Sequence, residues 1–519
     1  MTTRGTTPAG APAQRLGRRA LDGMLWTFSG AAAKGLIQIL VLMLLARLLD
    51  PGAFGVVAAA LLVVRLAASI STAGIGAAII QKQDLQPEDV SSAFAFFLLA
   101  GAAASLGIAL AAPALAALFR MPPLELVLVI LAPAILLEGA GELASMLLRR
   151  RLCFRHIAGA ALVSYVLGYC VVGVALAVLG LGFWALVAAH LAQTTIRTVL
   201  LLLLEPHAKS VRISLPALGR LVRFGGGLVF WRLANACAVE LDKFVVGRWL
   251  GAEALGLYER AHHLAVAPAA FLGQGVLMVL FPVMSKIQDD KERLAASYRR
   301  GVTLANLVTA PASAVIAVMA VEIVAVLLGA QWHAAALPLA VLALGLLFRI
   351  NSRVAGSIAV ATAAVYPMAW RQGAYAVLTL VGALVGQLWG LAGVAAGIVL
   401  SQLVHYLLMA QLARSCSAIR LRHLLLAHAP GFALAGLVVP PVWLVRLAMT
   451  DLGFGPLAVL GGGAATCALV LLVLLHTAPR LMLGADGVWV LEALLERVPK
   501  RNRTTLRRVL GLRVVRPAA

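Results

Sequence analysis

Fourteen long apolar runs follow one another along the chain, and they constrain the fold more than any other feature. Their approximate limits are 24–48, 52–80, 93–119, 124–147, 157–179, 183–204, 224–248, 254–284, 301–328, 334–360, 372–389, 391–413, 429–449 and 454–477. Crossing the hydrocarbon of a bilayer takes about 20 helical residues. In lipid, each segment must also satisfy its own backbone hydrogen bonds. The runs have helical length and lack the short alternation of barrel strands. Only 12% of residues are charged and 62% are hydrophobic. Soluble domains carry about 25% charged residues, so a soluble enzyme is excluded, as is a disordered chain. The expected fold class is all-α, a polytopic membrane protein of about 14 transmembrane helices.

The formal net charge of +22 comes from 43 Lys and Arg against 21 Asp and Glu. On a soluble protein such an excess would suggest nucleic acid. Here its position decides. Taking the inter-run loops alternately, one side holds 31 basic residues, among them Lys82, Arg149, Arg150, Arg151 and Arg155. The other side holds Arg120, plus Arg47, Arg248 and Arg446 at helix ends. The positive-inside rule then places both termini in the cytoplasm. Most of the charge is topology, and no nucleic-acid partner is expected. The run after residue 20 is too long for a signal core and is expected to remain as a first spanning helix.

The implied organisation is a basic tail 1–23, a first lobe of six helices 24–204 and a second lobe of six helices 224–413. Two further helices, 429–477, and a basic tail 478–519 complete it. That last tail, with an amphipathic stretch near Trp489–Val498, reads as an anchor for anionic membrane lipid. The five cysteines show no CxxC spacing and no accompanying histidine cluster. They are expected to be free thiols, with no disulfide framework, metal or other cofactor.

The two lobes look duplicated. Arg47-Leu-Leu-Asp-Pro-Gly-Ala-Phe-Gly55 is echoed by Arg248-Trp-Leu-Gly-Ala-Glu-Ala-Leu-Gly256, 201 residues later. Gly74-Ile-Gly76 is echoed by Gly273-Gln-Gly275, and Gly180-Leu181 through Gln193 by Gly390-Leu391 through Gln402. The offset spans an even number of helices, so the repeats are parallel. Transporters so built bind substrate near the midplane.

Charges inside apolar runs are the candidate functional groups, because each costs about 3 kcal/mol at mid-bilayer on insertion scales. Arg47, Arg248 and Arg446 sit at helix ends, and Lys243 and Arg197 lie within snorkelling reach of one. Six cations lie deeper: Lys34, Arg65, Arg232, Arg260, Arg349 and Arg353, the last two sharing a helical face. The deep acids are Glu138, Glu142, Glu240, Asp242, Glu259 and Glu322. Glu240 and Asp242 are a turn or less from Lys243, so an ion pair is expected there. Two readings compete for the rest. The charges are buried pairs that lock helices together, or the six cations line a water-filled cavity suited to a diphosphate, which the planar guanidinium fork fits well. In the second reading Glu138, Glu142, Glu240 and Asp242 are candidates for binding a coupling ion. The chain carries no Gly-Lys-Ser/Thr phosphate loop, no Asp-x-Asp motif and no large loop to shape a catalytic site. A membrane enzyme of glycan assembly is correspondingly disfavoured.

Several motifs together resemble one family. Leu45-Ala-Arg-Leu-Leu-Asp-Pro-Gly-Ala-Phe-Gly55 and Gly74-Ile-Gly-Ala-Ala-Ile-Ile-Gln-Lys82 look like those of bacterial polysaccharide flippases. Arg149-Arg-Arg-Leu-Cys-Phe-Arg155, Arg223-Phe-Gly225, Leu241-Asp-Lys-Phe-Val-Val-Gly-Arg248, Phe281-Pro-Val-Met-Ser285 and Gly329-Ala-Gln-Trp332 continue the match in order. The similarity runs from about residue 20 to 345. It is to lipopolysaccharide and exopolysaccharide repeat-unit translocases of the colanic-acid type, in the multidrug/oligosaccharidyl-lipid/polysaccharide superfamily. The resemblance implies two helical lobes working by alternating access. It also implies an undecaprenyl-diphosphate-linked oligosaccharide as cargo; whether the chain acts alone or with a polysaccharide polymerase and a chain-length regulator is left open by the sequence. Related lipid II flippases hold the diphosphate with cations on the first, second and eighth helices, where Lys34, Arg65 and Arg260 fall. Lys34 departs from the arginine of that pattern. Runs 11–14 match no motif. The rival within this fold is a multidrug or cation exporter, which should need an acidic cavity. Outside the fold it is the glycan-assembly enzyme, which should show a catalytic loop.

Overall fold

The computed structural model describes residues 35–71, 79–80, 82, 84–206 and 213–477; within these the side chains of 217–218, 220–232, 269–279 and 281–282 are not described. Among the described residues the chain is helical and contains no strand. Each of the fourteen apolar runs contains a helix. Ten described helical stretches are long and apolar enough to cross a membrane, so this is a multi-pass membrane protein. The chain divides into two compact units, Met1–Ala236 and Cys237–Ala519.

Unit 1 holds α1 (Gly35–Leu48), α2 (Pro51–Ser71), α3 (Pro87–Phe119), α4 (Pro123–Leu131), α5 (Pro133–Arg150), α6 (Phe154–Val178) and α7 (Phe183–Leu204). Four of these start on proline, whose fixed φ and missing N–H suit the first helical position. Asp50 caps α2 by accepting the Ala53 N–H at 2.8 Å. The fourth apolar run is two helices, broken at Pro133. Ser105 donates to the Ala132 carbonyl at the break, as lipid-embedded backbone requires. Helix α6 carries a π-helical stretch, Val166–Gly173. A Cβ on Gly168 would stand 2.7 Å from Gln193 of α7, so the glycine lets the two helices meet closely.

Several loop residues counted above as topology also do structural work. Arg150 Nη1 donates to the carbonyls of Ile79 (2.8 Å) and Lys82. Lys82 pairs with the fully buried Asp89, which also accepts the Gln86 N–H at 3.0 Å and so fixes the start of α3. Arg151 pairs with the buried Glu205 at 3.0 Å. The Arg150 bonds join Ile79 and Lys82 to the Arg149–Arg151 motif.

Helix α8 (Leu215–Val245) contains the division between the units. Unit 2 continues with α9 (Gly251–Lys286), α10 (Lys291–Val318), α11 (Ala320–Leu327), α12 (Ala336–Leu344), α13 (Leu346–Ala361), α14 (Val365–Gly386), α15 (Gly390–Cys416), α16 (Leu421–Asp451) and α17 (Pro456–Thr477). Its core packs α10 against α16, α9 against α13, and α13 against α15. Gly329 at φ +104° turns the chain out of α11, and Trp332 of the same motif is fully buried. Helices α14 and α15 form a hairpin closed on facing glycines: a Cβ on Gly382 would stand 2.7 Å from the Gly397 carbonyl. One on Gly386 would overlap the backbone of Gly393. The tenth apolar run, like the fourth, is broken, here between α12 and α13 at Gly345.

Candidate functional site

In unit 1, helices α2, α5 and α7 bring together the deepest charges of that half. Arg65 lies on α2, Glu138 and Glu142 stand one turn apart on α5, and His190 and Arg197 lie two turns apart on α7. All five are half-buried. The charges acting on Glu138 are those of Arg197, Glu142 and Arg65, and Arg65 also acts on His190. Thr198 donates to the Leu137 carbonyl at 2.8 Å, and Gly141 leaves room for this approach of α7 to α5. Two acids and two guanidiniums sharing one partly desolvated place offset one another's charge. Arg65 was grouped above with the cavity cations and Glu138 with the coupling acids; the structure brings them into one cluster.

In unit 2, the end of α8 and the start of α9 form two adjoining polar arrangements. In the first, Lys243, with 3% exposure, donates to Glu240 at 3.1 Å and to the Val239 carbonyl at 3.0 Å. It also pairs with Glu259 at 3.6 Å, beside Arg260 and His263. The expected Glu240–Lys243 ion pair is present, and Glu259 is a partner that sequence reasoning did not assign. In the second, Asp242 accepts a 2.8 Å hydrogen bond from Tyr258, which stacks on His262 at 6.2 Å. His262 Nε2 then lies 3.4 Å from Arg349 Nη2 on α13. A third ion pair joins Arg446 of α16 to Glu322 of α11 at 2.7 Å, so Arg446 is held across helices rather than merely snorkelling from an end.

Arg349 is also met from α15. With its amide oriented to satisfy both neighbours, Gln402 accepts from Arg349 Nη2 at 3.0 Å and donates to the Gly345 carbonyl at 3.0 Å. Among the described residues no carboxylate lies within ion-pair distance of Arg349. Its companion Arg353, one turn on and half-buried, adds a like charge on the same face. Among the described residues, this is where two of the predicted cations stand together. Arg260 is set beside Lys243 and Glu259, while Lys34 lies outside the described residues and Arg232 has a described backbone only.

The broken helices of the two units lie near one register, their breaks at Ala132 and Gly345 being 213 residues apart. Glu138 to Arg349, Glu142 to Arg353, and the helix ends Arg150 to Ala361 are each 211 residues apart. Corresponding turns thus carry two acids in unit 1 and two arginines in unit 2. Tyr258, His262, Gln402 and His190 were missed because they are neutral. Only Gln402 had left a trace, as the echo of Gln193.

A broken-helix, two-unit membrane protein with charges buried in each unit is the architecture of solute and lipid transporters. The chain belongs to the family described as "Polysaccharide biosynthesis protein", whose model matches residues 44–337, more than half of its length. It is 32% identical over 296 residues to the succinoglycan biosynthesis transport protein ExoT of Rhizobium meliloti (strain 1021), covering 57% of this chain and 60% of that one. It is 26% identical over 382 residues to the lipopolysaccharide biosynthesis protein WzxC of Escherichia coli (strain K12), covering 72% and 76%. Among solved structures, the inward closed conformation of lipid II flippase MurJ superposes with a TM-score of 0.70 at 13% identity, covering 89% of this chain and all of that one. An inward-facing multidrug resistance MATE family transporter of the MOP superfamily gives 0.57 at 15% identity, covering 74% and 94%. At these identities the two structures establish the fold alone.

Proposed function

We propose that the protein is a flippase that moves undecaprenyl-diphosphate-linked oligosaccharide across the bacterial inner membrane during assembly of a surface polysaccharide. The observation that carries this reading is Arg349. It is a half-buried guanidinium held by His262 and Gln402, with a second arginine one turn away and, among the described residues, no carboxylate within ion-pair distance of Arg349 itself. A drug exporter for cations has no use for such a face; a diphosphate does, because the guanidinium fork binds phosphate oxygens in pairs. Membership of the polysaccharide family and similarity to a succinoglycan transport protein support the same cargo.

In this reading both termini are cytoplasmic, and 24–204 and 224–413 are the two lobes. Helices 429–477 are an addition to them, and 1–23 and 478–519 are basic cytoplasmic tails. Lys34, Arg65, Arg232, Arg260, Arg349 and Arg353 supply cationic contacts to the diphosphate while the polyprenyl chain stays in lipid. The protein rocks between inward- and outward-open states around the bound headgroup. Glu138 and Glu142 in unit 1, and Glu240 and Asp242 in unit 2, are the sites through which an ion gradient gives direction, the last two acting through Lys243 and Tyr258. The released product passes to a polymerase and its chain-length regulator. The chain itself performs no bond chemistry.

The test is flipping in proteoliposomes, read as exposure of undecaprenyl-diphosphate oligosaccharide to an external probe. Native protein is expected to flip it, and Arg349→Ala to reduce the rate at least tenfold at matched folding, the size of a lost charge-assisted contact. Native protein that flips no lipid-linked glycan but exports a cationic dye would overturn the reading.

A further inference from the structure

We infer that Gln402 is a positioning residue for Arg349, and through it for the anionic headgroup; the inference rests on the reading of Arg349 just given. Three observations meet at this residue. Gln402 is 4% exposed, so its amide has no water to turn to and must spend both ends on protein. Two of the groups it meets lie 57 residues or less away in sequence, the Gly345 carbonyl and the Arg349 guanidinium, and the Tyr375 hydroxyl is a third. Gly345 is where α12 ends and α13 begins, and its carbonyl also accepts the Arg349 N–H at 3.0 Å. One carbonyl thus fixes the Arg349 backbone from below and the Gln402 side chain from the side.

The absence of a side chain at Gly345 is what makes the arrangement fit. A Cβ there would overlap the Gln402 amide. The helix break therefore has a second role besides bending the tenth run: it opens the space through which α15 reaches the arginine. With Nη2 held by Gln402 and His262, Nε and Nη1 of Arg349 make no hydrogen bond to any other described residue. One edge of the guanidinium is anchored and the other is left for phosphate oxygens, a division a neutral amide achieves without cancelling the charge. A glutamate at 402 would hold the same edge and neutralise it.

The experiment measures equilibrium binding of sugar-free undecaprenyl diphosphate to the full-length protein in detergent, for native protein, R349A, Q402A, Q402E and the R349A/Q402A double variant. Each sample's thermal unfolding midpoint is recorded beside it. Binding is expected to weaken about tenfold in Q402A, the size of one hydrogen bond to a charged group. It should weaken more in Q402E than in Q402A, although glutamate is closer in shape. The double variant should bind no worse than R349A, because a residue acting through Arg349 has nothing to add once it is gone. G345A supplies an independent variant that displaces the amide without deleting a polar group, and it should weaken binding as Q402A does. Losses that multiply in the double variant, or Q402E binding as native does, would overturn the inference while leaving Arg349 in place. Native affinity in R349A would instead remove the reading of Arg349 on which the inference stands.

Discussion

Replacing Lys243 by methionine tests how the interior of unit 2 balances its charge. The ammonium is the shared partner of two carboxylates, 3.1 Å from Glu240 and 3.6 Å from Glu259, and its side chain is 4% exposed. Methionine fills nearly the same volume, so little cavity is created and the change isolates charge. Removing one member of a buried ion pair costs about 3–5 kcal/mol, because the remaining charge keeps its desolvation penalty. Native proteins are stable by only about 5–15 kcal/mol, so Lys243→Met should lower the unfolding midpoint by many degrees. The assay is thermal unfolding of detergent-purified protein followed by tryptophan fluorescence. Charge pairing predicts more than destabilisation alone. Adding Glu240→Gln to Lys243→Met removes one of the stranded charges and should restore a substantial part of the loss. The same Glu240→Gln change in the native background should destabilise. Lys243→Met with an unchanged midpoint, or a double variant no better than the single, would refute the account.

Three further outcomes are expected. Gly386→Leu should prevent the α14–α15 hairpin from closing, since even a Cβ would overlap Gly393, and the variant should run as aggregate in size-exclusion chromatography while Gly436→Leu, in open space, runs as native. Asn306 and Asn351 share a 2.8 Å hydrogen bond and are both fully buried, so either Asn→Leu change alone should cost about 1–3 kcal/mol in thermal unfolding and the paired replacement distinctly less than the sum. Cys153 and Cys416, both half-buried and free, should react with a membrane-impermeant maleimide in inside-out vesicles and not in right-side-out ones; the reverse pattern would invert the proposed topology.

The helices were legible because lipid leaves the backbone little choice. A run such as 183–204 has the length and composition of one spanning helix, and the structure makes it one. The break at Pro133 also announces itself, since proline removes a helical hydrogen bond. The break at Gly345 does not, because glycine inside an apolar run is common in spanning helices. Charges were visible one by one, but their partners were not. Arg446 and Glu322 lie 124 residues apart and meet only because α16 and α11 both flank the α17 end of unit 2. Sorting residues by sign separated Arg65 from Glu138, which the packing of α2 on α5 reunites. The neutral members of the unit 2 network escaped for the same reason: a search keyed on charge passes over Tyr258, His262 and Gln402, although 258 and 262 share a helical face.

The near-matched register of the two broken helices gives the repeat a chemical meaning that its glycine echoes lack. Had duplication preserved chemistry as well as form, the turns that carry Glu138 and Glu142 would be acidic in unit 2 as well. They carry Arg349 and Arg353 instead, at the same 211-residue spacing that separates the helix ends. Each pair has acquired surroundings that suit its sign. The acids stand among the cations Arg65 and Arg197, whereas Arg349 is met by the Gln402 amide and the His262 imidazole. The first arrangement is close to electrically self-sufficient; the second keeps its positive charge. An anion therefore gains more from the unit 2 face than from its counterpart in unit 1. Exchanging the pairs tests this directly. Glu138→Arg with Glu142→Arg puts four cations in the unit 1 cluster and should abolish folding through like-charge repulsion. Arg349→Glu with Arg353→Glu sets two acids near Asp242, but Lys243 and the Tyr258 hydroxyl still hold that carboxylate, so folding should suffer less than in the unit 1 exchange while undecaprenyl-diphosphate binding is lost. Equal damage to folding from both exchanges would show that the two pairs are structural alike.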